Sequence, residues 1–340
     1  MKKIGKRTYR LGSPCYVNGW CAVVGKKEKE GPFAPYFEHW SEDEYFGEKT
    51  FEQAEIRMQK EAISHVIGES KLSEKDIDML FAGDLQNQCA GANYGARNLT
   101  FPYFGVYGAC STMAETLILS SMAVDGGFAQ NTLAVTSSHF CSAERQYRFP
   151  LAYGAQRPPS SQWTVTGAGC VMLGGSGEKD VPRMDAFTAG EVVDYGVTDM
   201  NNMGAAMAPA AAATLEAFWE DTATVPDDYD LIVTGDLGRV GSRSLLDLLQ
   251  EHGVMLGKNY MDCGMMIFDE HQDVHSGGSG CGCSASMLCA YLLPMLKKNV
   301  YRKLLFVATG ALMNPTLALQ GESIPGIAHL VSLTAGGEVL

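Results

Sequence analysis

Met79-Leu80-Phe81-Ala82-Gly83-Asp84-Leu85 returns further along the chain as Leu231-Ile232-Val233-Thr234-Gly235-Asp236-Leu237. Each is a short apolar run closed by glycine and aspartate, which reads as a buried strand ending in a turn. Two more pairs follow in the same order. Gly108-Ala109-Cys110-Ser111 is echoed by Cys281-Gly282-Cys283-Ser284, and Leu133-Ala134-Val135-Thr136-Ser137 by Leu305-Phe306-Val307-Ala308-Thr309. A strand, a turn entering a helix and a second strand, repeated, mark a duplicated α/β unit. Duplication sets equivalent loops face to face, so the expected site lies where Cys110 meets the loop of the second copy.

The flanking sequence fits alternating strands and helices. Residues 1–50 read as irregular, punctuated by Gly31-Pro32 and Pro35. Apolar residues at Ile56, Ala62, Ile63, Val66 and Ile67 predict an amphipathic helix from Phe51 to Gly68. Met113–Val124 is apolar nearly all round and stops at Asp125-Gly126-Gly127, the pattern of a buried central helix. Strands are predicted at Leu133–Ser138, Cys170–Leu173, Arg183–Phe187 and Leu304–Gly310, and helices at Ala205–Trp219 and Leu245–Gln250. A further buried helix opens at Cys283. Such alternation favours parallel sheets wrapped by helices, and no flexible linker parts the halves.

Composition narrows the class. A chain of 340 residues, 46% hydrophobic with 38 glycines, can bury a large core rich in tight turns. A net charge of -13 argues against nucleic acid and against broad adhesion to anionic lipid. No apolar run reaches bilayer length; the longest, Ala285–Leu293, meets Pro294. The basic start, Met1-Lys2-Lys3, has no apolar segment behind it and is not a signal peptide. Ten cysteines without framework spacing suit reduced thiols, and the expectation is a soluble intracellular protein.

Cys110 leads the candidates for chemistry. It precedes an apolar helix, where free amides and the helix dipole stabilise an anion and lower a thiol's pKa. The bland reading is a small cysteine filling a turn. A working nucleophile also needs a base, and His139, just after a strand, is placed best among the seven histidines. His271 and His275 are four apart, but Gly277-Gly278 follows at once and no acidic ligand is patterned beside them. Gly277-Gly278-Ser279-Gly280 lets a ligand approach backbone closely, yet completes neither nucleotide fingerprint. Asp84 and Asp236 end equivalent strands; each either caps a local turn or flanks one cavity. Arg145, Arg148 and Arg157 form a locally basic segment that suits carboxylates or simply faces solvent.

With these residues in view the chain resembles the thiolase superfamily, whose two similar halves form a five-layered α-β-α-β-α core. Gly108-Ala109-Cys110-Ser111 sits where its enzymes carry an acyl-accepting cysteine, and Thr166-Gly167-Ala168-Gly169-Cys170-Val171 resembles their glycine-bearing strand. Condensing enzymes also carry a histidine after the strand that here ends Thr234-Gly235-Asp236-Leu237, and a histidine or asparagine in the loop that here reads Gly277-Gly278-Ser279-Gly280-Cys281. Neither is present. Over about residues 5 to 333 the chain resembles the stage V sporulation protein AD family of spore-forming Firmicutes. The shared segments include Ala82-Gly83-Asp84-Leu85, Ala143-Glu144-Arg145-Gln146, Tyr153-Gly154-Ala155-Gln156, Met203-Gly204-Ala205-Ala206-Met207-Ala208-Pro209 and Pro226-Asp227-Asp228-Tyr229-Asp230.

That resemblance implies a thiolase-like fold with an N-terminal half at 1–180 carrying Cys110 and a C-terminal half at 181–340. It implies a non-catalytic protein that binds dipicolinic acid (pyridine-2,6-dicarboxylate), alone or with calcium, for transport into the developing spore and release at germination. Its partners would be the other stage V A membrane proteins and a second copy of the chain, with no nucleic acid. It would be cytoplasmic during sporulation and held peripherally at the spore inner membrane through those partners. The expected ligand-binding positions are Asp84, Cys110, Ser111, Ser138, His139, Asp236, Gly278, Ser279 and Cys281; no catalytic residue, metal or cofactor is expected. The alternatives are an acyltransferase using Cys110, with His139 as its base, and a purely structural scaffold.

Overall fold

The computed structural model describes residues 1–147 and 157–337. Arg148 and the segment Tyr153-Gly154-Ala155-Gln156 singled out above lie outside them. Five strands of the first half are β1 (Thr8–Val24), β2 (Met79–Gly83), β3 (Tyr103–Gly105), β4 (Asn131–Ser138) and β5 (Gly167–Gly174). Five of the second are β6 (Arg183–Thr188), β7 (Leu231–Thr234), β8 (Tyr260–Asp262), β9 (Lys303–Ala311) and β10 (Gly326–Thr334). They are ordered β8-β7-β9-β10-β6-β1-β5-β4-β2-β3. Each half repeats one pattern. β2 pairs in parallel with β3 and β4, as β7 does with β8 and β9; β4 runs antiparallel to β5, as β9 does to β10. The duplication legible in the sequence is thus a duplication of topology.

The strands alternate faces residue by residue, and that alternation builds the layers. Leu304, Phe306 and Ala308 of β9 join the central core, where helix α2 (Thr112–Asp125) contributes Met113, Ala114 and Leu117. Leu305 and Val307 point the other way, against Ala211, Leu215 and Phe218 of α4 (Met203–Thr222). In the first half Ala134 faces the centre, while Leu133 and Val135 meet Met58, Ala62 and Val66 of α1 (Phe51–Glu69), and the short helix α3 (Phe140–Tyr147) follows β4. The central layer is completed by a second helix. It runs as α-helix over Cys281–Met287, which we label α6, and passes through a π turn at Leu288–Leu292 into a last helical segment, Leu293–Lys297. The result is five layers, α-β-α-β-α.

Three expectations need correction. Residues 1–50 are not irregular: β1 fills Thr8–Val24 and hydrogen-bonds both β5 and β6. Gly12, Pro14 and Gly19 mask its alternation, and the register shifts between Arg10 and Cys15 and again between Val17 and Gly19. The second central helix opens at Cys281, two residues before Cys283, and continues past Pro294. A π turn just before the proline absorbs the backbone donor it lacks. The helix predicted at Leu245–Gln250 likewise starts earlier, as α5 (Gly238–Glu251), because Asp262 accepts from the amides of Leu237 and Gly238 at 2.9 and 3.0 Å.

Candidate functional site

The two central helices start side by side, and each start is seated on the other half of the molecule. Ala109 takes a left-handed conformation (φ 51°) that throws Cys110 into the turn before α2. Behind that turn stands Gly310 of β9, where a Cβ would lie 2.4 Å from the Gly108 carbonyl oxygen. The absent side chain is what lets the Cys110 turn settle on β9. At the equivalent place in the first half is Ser138 of β4. Its hydroxyl donates to the Val165 carbonyl (2.7 Å) and accepts from the Gly282 amide (3.1 Å), pinning the start of α6. The neighbouring Cys281 thiol donates to the Ser137 carbonyl at 2.9 Å.

Asp236 closes the gap between the two helix starts. Its Oδ1 accepts from the Thr309 hydroxyl (2.8 Å), and its Oδ2 from the Gly280 amide (2.8 Å) and the Ser279 hydroxyl (3.2 Å). Gly280 holds φ 98°, which aims its amide at the carboxylate. The Cys110 thiol donates to the same carboxyl group. Burial pushes Asp236 up to about 7 against these hydrogen bonds, so near neutrality it readily holds a proton. Cys110 is raised well above the ordinary thiol range, by burial first and the Asp236 charge second. This reverses the expectation drawn from the helix dipole. A dipole field worth roughly 0.3–1 kcal/mol does not offset desolvation beside a carboxylate.

Asp84, the duplicate of Asp236, has a different fate. Its oxygens accept from the amides of Gln86 and Ala92, each at 2.7 Å, so it caps its own loop. It too is pushed up to about 7, by burial and then by Glu55. Glu55 is buried among Gln86, Ser137 and Ser142, which donate to it at 2.7–2.9 Å. One carboxylate of the duplicated pair therefore serves a loop and the other faces Cys110.

A cleft of about 40 Å³ opens at Cys110, lined by Leu85, Ala109, Tyr147, Met203, Ser279 and Met313 among others. The Tyr147 hydroxyl donates to the Leu85 carbonyl (2.8 Å) and lies 2.9 Å from the Tyr107 hydroxyl. No histidine, lysine or arginine is among the described residues of the lining. Of the predicted positions, Cys110 and Ser279 line the cleft, Asp236 touches both, and Cys281 packs beside Cys110 with Leu85 and Ala143. Ser111, Ser138 and Gly278 support it from behind. The Ser111 hydroxyl donates to the Gly108 carbonyl (2.7 Å), and the Gly278 carbonyl accepts from the Gln162 amide (2.7 Å).

His139 does not join this group. Its Nδ1 accepts from the Cys141 amide (3.2 Å), so its Nε2 donates to the Glu44 carbonyl (2.8 Å). It borders a separate recess with Glu28, Lys27 and Trp163. The basic segment is similarly committed: Arg145 pairs with Glu52, and Arg157 with Asp273. Thr309, Gly280, Met203 and Met313 were missed by sequence reading. Thr309 left a trace there as the end of a repeated strand, Gly280 within Gly277-Gly278-Ser279-Gly280 and Met203 at the start of a shared segment; Met313 left none.

The fold is that of the thiolase-like proteins. The chain superposes on 3-oxoacyl-[acyl-carrier-protein] synthase III from Aquifex aeolicus with a TM-score of 0.54 at 14% identity, covering 94% of this chain and 99% of that one. Xanthomonas campestris OleA bound to cerulenin gives 0.59 at 12% identity over 95% and 97%, and Acat5 thiolase from Ascaris suum 0.58 at 10% over 95% and 100%. The chain itself belongs to the stage V sporulation protein AD family, whose model matches residues 5–334. It is 43% identical to the stage V sporulation protein AD of Bacillus subtilis over 338 residues, 99% of each chain. No helix among the described residues is long and apolar enough to cross a membrane.

Proposed function

We propose that this sporulation protein is a receptor for dipicolinate that has kept the acylation cleft of a condensing enzyme and abandoned its chemistry. The observation that carries the reading is the partner of Cys110: a buried carboxyl group, with no histidine among the described residues of the cleft. A protonated thiol beside a group that accepts its proton poorly is a weak nucleophile. Loss of the histidine and asparagine that condensing enzymes carry leaves hydrogen-bonding groups around a helix end, which suits binding more than turnover.

The diacid would set one carboxylate against the start of α2 while Asp236 holds its proton, so that two like charges do not meet. A cavity of about 40 Å³ takes only a few waters at ~10–15 Å³ each. Admitting a flat ring therefore requires Met203 and Met313 to swing aside, a movement their unbranched side chains make easily. Homodimer formation belongs to the same proposal: Phe104 on the edge strand β3 and the nearby Tyr107 are exposed aromatics. So does attachment to the spore inner membrane through other stage V A proteins.

Calorimetry of the full chain with dipicolinate, with and without calcium and slightly below neutral pH, tests the reading. Saturable binding that Cys110→Ala largely keeps supports it; no binding by wild type in either condition sinks it. Incubation with an acyl-CoA followed by intact mass measurement separates the acyltransferase alternative, which requires a covalent adduct on Cys110.

A further inference from the structure

Far from the cleft, α1 carries His65 and Glu69 four residues apart, so both side chains leave one face of the helix. A different element brings a third donor to that face. The short strand His39–Trp40 pairs in parallel with Val23–Val24 at the end of β1, which lays His39 over the helix. The His39 and His65 rings stack with centroids 3.7 Å apart, and His39 Nε2 lies 4.0 Å from Glu69 Oε1. One ligand atom from each of the three residues falls within 4.8 Å of the others.

Nothing else in the described fold uses these groups. The imidazoles make no hydrogen bond to described residues, and the His39–Glu69 contact is the only ion pair either ring makes there. Neither His271 nor His275 belongs to such a group; they meet Asp269 and Asp273 separately. Two of the donors, His39 and Glu69, border a cavity of about 120 Å³ lined also by Trp20, Cys21, Tyr36, Glu38 and Cys289. Side-chain exposures of 31% for His39 and 65% for Glu69 leave an ion a way in.

We propose that His39, His65 and Glu69 bind one divalent transition-metal ion of the zinc class, with its fourth position facing that cavity. Two imidazole nitrogens and one carboxylate oxygen match the ligand set and count of open zinc sites, with bonds of about 2.0–2.2 Å. The ring-nitrogen lone pairs lie in the ring planes, so binding turns at least one imidazole out of the stack to bring the three donors to that distance. The ligand set selects against calcium and magnesium, which prefer oxygen alone. The site is therefore independent of any calcium that accompanies dipicolinate.

The test uses the full chain freed of metal by dialysis against a chelator and titrated with Co²⁺ as a visible-absorbing probe, then with Zn²⁺ in competition. The expected result is one saturable site per chain that Zn²⁺ takes over and Ca²⁺ leaves alone. His39→Ala and His65→Ala should each weaken it at least tenfold with unchanged circular dichroism, while His271→Ala leaves it intact. His39→Ala lies on a short surface strand, so it reads the site even where a change on α1 disturbs folding. Absence of a saturable Co²⁺ or Zn²⁺ site in wild type overturns the proposal, as does binding that survives both histidine substitutions unchanged.

Discussion

The thiol of Cys110 gives its hydrogen bond to the carboxyl group of Asp236, a residue from the other copy of the duplicated unit. The contact helps explain why the cysteine is quiet, and the burial the pair shares is what makes the carboxyl protonatable. Both groups are buried, which raises both; the Asp236 charge raises Cys110 further, while the thiol's hydrogen bond only partly offsets the burial of Asp236.

Stability follows from the Asp236 side of that contact. Its pKa rises from 3.8 to about 7 on folding, so between those values the folded chain keeps a proton that the unfolded chain has released. Within that window the group's contribution falls as pH rises, and above about 7 it changes no further. The total is on the order of 2–4 kcal/mol. Asp236→Asn, which cannot ionise, should therefore compare better with wild type at pH 8 than at pH 5. Urea unfolding of both proteins at the two pH values checks the sign of that difference.

Ligand binding should show the same proton. If dipicolinate enters beside a neutral Asp236, binding at mildly alkaline pH takes up close to one proton, and affinity falls as pH rises above about 7. Calorimetry in buffers of different ionisation enthalpy measures the uptake directly. An unchanged affinity on both sides of neutrality would place the ligand away from Asp236.

The reactivity of Cys110 is a third consequence. With its pKa raised by burial and by Asp236, the native thiol should alkylate with iodoacetamide at least tenfold more slowly than the same cysteine in unfolded chain. Asp236→Asn should speed the reaction by removing the negative neighbour. Peptide mass spectrometry after timed quenching gives both rates.

Gly310 offers a steric test. A methyl group there meets the Gly108 carbonyl at 2.4 Å and the Ser111 amide at 3.1 Å, both backbone atoms that cannot rotate away. Gly310→Ala should cost about 1–3 kcal/mol and shift the Cys110 turn. Thermal melting, together with Cys110 alkylation, reads both effects.

The duplicated strands were legible because Leu133–Ser138 and Leu304–Gly310 are apolar on both faces, as strands between two helical layers must be. The central helices showed themselves in the same way. What stayed hidden was set by distance in sequence. β1 is a strand because β5 and β6 flank it, and its own residues carry breakers. Asp84 and Asp236 end the same motif, and only the loop at Gln86–Ala92 and the Gly280 amide tell them apart. His139 follows the right strand, but its ring turns to the Glu44 carbonyl, which no local pattern announces.

The hydrogen bonds joining β1 to β6 stitch the two sheets into one ladder, with the Thr8 and Thr188 hydroxyls meeting at 2.7 Å at one end of it. A molecule fastened along that seam cannot gape like a clamshell: turning one half away would tear the ladder. Any guest of Cys110 would then have to be let in at the mouth, by Met203 and Met313 standing aside with the frame held still.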